Sequence, residues 1–378
     1  MNEILKLTMT ELIEKLKTRE VRSVDVTKAC LERIKERNEK INAYITITEE
    51  EALAMAEKSD QKLDDGEGGL LEGVPVAFKD LFCTKGIKTT AASKMLENFI
   101  PPYESTVTQK MLDEGAVLLG KLNMDQFAMG GSGETSYFGN AVSPIKETEN
   151  LTPGGSSSGS SAALADFQCF AATGSDTGGS VRQPASFTNT VGFRPTYGRC
   201  SRFGMVAFAS SLDQAGFMAR SVADTALTFQ VASGHDEKDS TSVNMAVENY
   251  FGELDNLEVK GLKVGLPKEY FVDGVDQKVK DIINAKVEQF KAAGAEIVEI
   301  SLPHTKYAVP TYYIVAPAEA AANLSRYDGM RYGLRVEGEN LDDTYAKSRS
   351  AGFGWEVKRR IMVGNYVLSS GYYDAYYS

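Results

Sequence analysis

The chain has 378 residues and a mass of 41.1 kDa, enough for one large domain or two ordinary ones. Its 42% hydrophobic and 25% charged content is that of an ordinary globular protein, and it has no apolar run long enough to mark a membrane span. A net charge of −11, a pI near 5.0 and no basic block beyond Lys358-Arg359-Arg360 argue against this chain alone gripping a nucleic-acid backbone.

In chain order, residues 1–18 mix acids and lysines on an amphipathic pattern, which is not that of a secretory leader. Apolar spacing predicts helix throughout residues 5–60, with Ser23 opening a second helix. A Gly- and Asp-rich turn follows at 64–69. Residues 73–78 then read as a short strand running into Lys79-Asp80. Residues 107–115 predict a helix and 116–120 a buried strand. Between 125 and 186 the chain is dense in Gly and Ser, interrupted by a helical stretch at 162–165 and a strand at 167–172. A linker shares that composition, but a helix and a strand bracketed by Gly/Ser loops suit an active-site frame better. The last third predicts a strand at 261–266, an amphipathic helix at 277–292 and a strand at 295–302. That rhythm implies an α/β architecture with mostly parallel pairing and helices on both faces of the sheet.

The four cysteines, Cys30, Cys83, Cys169 and Cys200, lie far apart with no CxxC spacing, so neither a zinc site nor a disulfide framework is indicated, and a cytoplasmic setting is the default. The only histidines, His235 and His304, sit in the polar turns SGHDEKDS and LPHTKY. A histidine-based hydrolase or a multi-histidine metal site would need better-placed residues.

Chemistry is instead suggested by Gly154-Gly155-Ser156-Ser157-Ser158-Gly159-Ser160 and by Gly174-Ser175-Asp176-Thr177-Gly178-Gly179-Ser180-Val181-Arg182-Gln183-Pro184. Glycines before a serine let main-chain N–H groups converge on one point, as a tetrahedral oxyanion requires. Ser180 is then a candidate nucleophile, with the amides of Gly178, Gly179 and Ser180 as candidate donors. Tight turns or a phosphate cradle remain the alternative, although no GxxxxGK[ST] element is present. A serine needs a base, and lysine serves if burial keeps it neutral. Lys79, between an apolar strand and Asp80, is the candidate, the alternative being a surface charge paired with Asp80.

These segments resemble the amidase signature, a long and specific pattern, and the 24-residue interval from Ser156 to Ser180 matches the family spacing. The resemblance implies that Ser180 is the acylated nucleophile, that Ser156, held by a cis peptide, relays the proton, and that Lys79 in the G-[IV]-P-x-x-x-K-D element is the base. It further implies an oxyanion hole at Thr177, Gly178 and Gly179, substrate contacts from Arg360 and Met129, and no metal. The expected fold is the amidase-signature α/β fold, with a mixed, mostly parallel central sheet flanked by helices, as a single domain over 1–378. Residues 1–60 would form its N-terminal helical segment, and the C-terminal part of the family domain would be absent.

Residues 121–130, 195–199, 201–204, 206–214 and 348–377 resemble one branch of the family, the A subunits of glutamyl-tRNA(Gln)/aspartyl-tRNA(Asn) amidotransferases. For that branch the resemblance implies a cytoplasmic heterotrimer in which this chain hydrolyses glutamine. Ammonia would pass to a partner that amidates Glu-tRNA(Gln) or Asp-tRNA(Asn). B and C subunits are the implied partners, the tRNA is held by the partner, and the chain carries no cofactor of its own, ATP and magnesium being on the partner. Ser158 departs from the family's usual glycine and is expected to stiffen the loop around Ser156. A free-standing amidase of the same family, or a truncated non-catalytic paralogue, are the alternatives.

Overall fold

The computed structural model describes residues 2–256 and 258–377 and divides into two units, residues 1–248 with 315–378, and residues 249–314. In the first unit, α1 (Met9–Lys17) opens on a capping box between Thr8 and Glu11, and α2 (Ser23–Ile41) ends at Asn42 in the left-handed conformation. The segment expected to be helical throughout then turns into a strand, β1 (Tyr44–Ile47), before α3 (Glu49–Asp64) resumes the helix. The reason is local: Asn42 stops α2, and Tyr-Ile-Thr-Ile is an aromatic, β-branched run that prefers extended backbone.

Next come β2 (Pro75–Lys79), α4 (Thr106–Asp113), β3 (Val117–Leu122), α5 (Ser158–Ala165), β4 (Ala171–Ser175), α6 (Arg182–Phe187), β5 (Val191–Phe193), β6 (Ala215–Ala219) and α7 (Val222–Ala232). β4 starts later than the strand expected at 167–172, because Phe167 adopts a positive φ of 60° and residues 168–170 only lead into the sheet. That shift puts Ser175 on the strand. The six strands run in the order β1-β3-β2-β4-β6-β5. The sheet is mixed: β2 pairs in parallel with β3 and with β4 at its centre, while β1–β3, β4–β6 and β5–β6 are antiparallel at its flanks. Every residue of β2, β3 and β4 is buried. Since neighbouring side chains on a strand point to opposite faces, both faces of the sheet centre are covered.

The second unit carries β7 (Lys263–Pro267), α8 (Gln277–Ala292) and β8 (Glu296–Ile300), with β7 and β8 paired in parallel as the β-α-β pattern predicted. α9 (Thr305–Asn323) starts in this unit and ends in the first, which closes with α10 (Leu341–Gly352) and α11 (Trp355–Val367). No helix among the described residues is long and apolar enough to cross a membrane.

Candidate active site

β2 and β4 are parallel neighbours, registered through Val76–Ala171 and Ala77–Ala172, so their C-terminal ends bring Lys79 and Ser175 to one edge of the sheet. Lys79 is completely buried, and its main-chain N–H donates to Thr173 Oγ1 on β4. Its side-chain nitrogen lies 2.8 Å from Ser156 Oγ, 2.9 Å from Ser157 Oγ and 2.9 Å from Ser175 Oγ. Burial pulls the lysine down to about 7, against the opposing pull of Asp125, Asp176 and Asp213. Asp80 is not its partner. The Asp80 carboxylate binds Thr90 and stands 3.4 Å from the equally buried Lys121. The surface-pair alternative for Lys79 therefore does not hold.

The loop before α5 delivers Ser156 to this lysine. The Gly155–Ser156 peptide is cis. Glycine is required at 155 by close approach, because a Cβ there would fall 2.1 Å from Asp125 Oδ2. Asp125 Oδ2 accepts from Gly133 N at 3.0 Å and Oδ1 from Thr135 Oγ1 at 2.9 Å, while Asp125 N donates to Ser156 O at 3.1 Å. Gly155 N in turn donates to Gln183 Oε1 at 3.0 Å. Ser158 is buried at the first turn of α5, and its hydroxyl finds no partner among the described residues.

Ser180 is 8% exposed, and its carbonyl accepts from Ser157 N at 3.1 Å, which ties its loop to that of Ser156. Its hydroxyl makes no hydrogen bond among the described residues, a common condition for a nucleophile without substrate. The turn before it is shaped by Asp176, whose Oδ1 accepts from Gly179 N at 2.7 Å and whose Oδ2 accepts from Val181 N at 3.1 Å. Burial acts to raise this carboxyl, but the hydrogen bonds and charge of Arg182 and the two amides hold it below the usual carboxylate range. The resemblance puts Gly179 at the oxyanion, yet its N–H is taken by Asp176. The amides of Thr177, Gly178 and Ser180 have no such partner among the described residues.

Arg360 is buried on α11, 2.7 Å from Glu356 Oε1, with its guanidinium 5.5 Å from the centre of the Phe208 ring. Arg359 pairs with the same carboxylate, but its side chain is 56% exposed. Met129 is buried beyond the Asp125 loop, and its carbonyl lies 3.4 Å from Thr135 Oγ1. A cavity of about 200 Å³ lined by Arg202, Ser210, Asp239 and Arg326 reaches Asp213. Both histidines lie outside the arrangement of serines and lysine: His235 contacts Ser242, and His304 sits beside Tyr307 in the second unit. Sequence reasoning missed Ser157 and Ser175 as lysine partners. The only signal for them was adjacency to Ser156 and to the Asp-Thr-Gly-Gly-Ser element.

A buried lysine poised near neutrality, in contact with a serine hydroxyl whose loop is hydrogen-bonded to the loop of a second serine, has the chemistry to move a proton from one hydroxyl through another. That is the requirement for acylating a serine without histidine. Comparison with known proteins agrees. The chain is 59% identical over 377 residues to the A subunit of a glutamyl-tRNA(Gln) amidotransferase from Pelagibacter ubique, covering 100% of this chain and 76% of that one. The crystal structure of the glutamyl-tRNA(Gln) amidotransferase A subunit from Thermotoga maritima superimposes with a TM-score of 0.76 at 36% identity, over 99% of this chain and 73% of that one. Native peptide amidase from Stenotrophomonas maltophilia gives a TM-score of 0.84 at 27% identity, over 97% and 77%. The sequence profile described as Amidase matches residues 25–378, and the chain belongs to that family.

Proposed function

We propose that this chain is the glutamine-hydrolysing subunit of a tRNA-dependent amidotransferase. The observation that carries the reading is the 2.8 Å contact between the buried Lys79 amine and Ser156 Oγ, with the lysine held at about 7. Neutral Lys79 accepts the Ser156 proton, Ser156 accepts that of Ser180, and Ser180 Oγ attacks the carboxamide carbon. The oxyanion is received by the amides of Thr177, Gly178 and Ser180. The proton returns through the same relay to the leaving nitrogen, which departs as ammonia, and water then releases glutamate from the acyl-enzyme. Arg360 is the proposed clamp for the substrate carboxylate, because a guanidinium matches that group in bidentate fashion.

Substrate and partners follow from the amidotransferase relatives, to which the chain is far closer in sequence than to peptide amidase. In this reading ammonia passes to a partner that holds the charged tRNA, ATP and magnesium, with B and C subunits completing a heterotrimer. The acidic charge of this chain is in keeping with leaving the tRNA to another member of the complex.

The test is steady-state ammonia release from glutamine, with and without the other subunits and charged tRNA. Low basal release that rises on reconstitution is expected. A full rate in isolation, with preference for simple aliphatic or aromatic amides, would favour a free-standing amidase.

A further inference from the structure

Asp213 has no place in the proton relay, yet its buried carboxylate joins two separate parts of the site. Oδ1 accepts from Thr177 Oγ1 at 2.6 Å. Oδ2 accepts from the main-chain N–H of Phe208 at 2.8 Å and of Ala209 at 3.0 Å. The loop closes on itself, since Asp213 N donates to Ala209 O at 2.8 Å, and Asn323 Nδ2 holds the Phe208 carbonyl at 3.1 Å. On one side, then, Asp213 grips Thr177, whose N–H is an open oxyanion donor. On the other it fixes the backbone of Phe208, whose ring carries the Arg360 guanidinium.

The two ends of an amino-acid amide would be read at those two places: the carboxamide at the oxyanion donors, the α-carboxylate at Arg360. Glutamine and asparagine differ by one methylene in the distance between these groups. We propose, on the basis of the glutaminase reading above, that Asp213 is a positioning residue that sets the separation between the oxyanion loop and the carboxylate clamp. It would thereby select glutamine over asparagine.

A neutral Asn at 213 cannot accept from all three donors, because one of its terminal atoms is itself a donor. Thr177→Val removes the same link from the other side, with the main-chain donor kept. Thr177→Ser restores the hydroxyl without the methyl group.

The experiment measures kcat and KM for glutamine and for asparagine with the full chain and its D213N, T177V, T177S and S180A variants. Thermal melts accompany each variant. Discrimination of one methylene is commonly about 10- to 200-fold. In D213N and T177V the ratio of kcat/KM for glutamine to that for asparagine is expected to fall at least about fivefold, and T177S to recover most of that loss. A lower rate on both substrates at an unchanged ratio, with S180A inactive, would overturn the proposal alone and leave Asp213 as a packing group. If D213N does not fold, T177V against T177S decides the matter. A chain that leaves glutamine intact, or whose turnover survives S180A, would overturn the glutaminase reading and this proposal with it.

Discussion

The main-chain N–H of Ser157 donates to the carbonyl of Ser180 at 3.1 Å. That single bond ties the loop bearing the proposed relay serine to the loop bearing the proposed nucleophile, so a shift in either loop disturbs the other. Four predictions concern the side chains of the candidate site.

Activity should follow the titration of Lys79. The folded protein holds this lysine at about 7, far below its usual value, because burial disfavours the cation. Only the neutral amine accepts a proton, so kcat/KM should rise as pH increases through about 7 and then level off. A pH profile on the free enzyme reports this value directly. An ascending limb near the ordinary lysine value, or no limb at all, would remove Lys79 as the base.

Ser180→Ala should reduce amide hydrolysis by more than about 10⁴-fold, since it removes the attacking hydroxyl of the proposed mechanism. Rapid acid quench during turnover, followed by mass spectrometry, should find a glutamyl ester on the peptide containing Ser180. Recovery of the adduct on Ser156 or Ser175 would move the nucleophile.

Arg360→Lys should raise KM for glutamine by about tenfold, while Arg359→Lys stays within about twofold. The difference follows from burial. Arg360 lies inside against Phe208 and Glu356, and Arg359 reaches solvent with a side chain that is 56% exposed. The opposite ranking of the two KM values would transfer the clamp to Arg359.

Ser158→Ala should stabilise the protein by about 1 kcal/mol, because it removes a buried hydroxyl that lacks a partner among the described residues. Denaturant unfolding of the two forms measures the difference. A loss of stability would mean that the hydroxyl is satisfied in solution.

Much of the site could be read from the chain because its chemistry rests on contiguous elements. The run from Gly174 to Pro184 and the Gly154–Gly155–Ser156 loop stand out by glycine placement, and Lys79 by its apolar strand, but turns and a surface charge stayed open as alternatives until the resemblance to the amidase signature gave these residues roles. What stayed hidden depends on long-range contacts. Nothing near Gly155 in sequence tells that Asp125 presses on it, and nothing near Thr177 points to Asp213. Gly179 misled for a subtler reason. Its composition suits an oxyanion donor, but Asp176, three residues earlier, captures its N–H. The strand at Tyr44–Ile47 was missed because helical segments on both sides outweighed four residues of β-branched and aromatic character.

Burial of Lys79, the proposed base, also bears on how the protein responds to ionic strength. Salt acts over a Debye length of about 8 Å at physiological concentration and weakens charges that solvent can reach. Lys79 is out of reach, and its hydrogen-bonding partners are hydroxyls and a carbonyl rather than a carboxylate. Among the described residues no exposed ion pair stands at the base for added salt to screen. The chemical step should therefore proceed at nearly the same rate in dilute buffer and in concentrated salt. The proposed docking of this chain, with its net charge of −11, onto a partner subunit has no such protection. In the proposed complex, salt therefore acts on ammonia release through docking alone, and the isolated chain keeps its low basal rate from dilute buffer to concentrated salt.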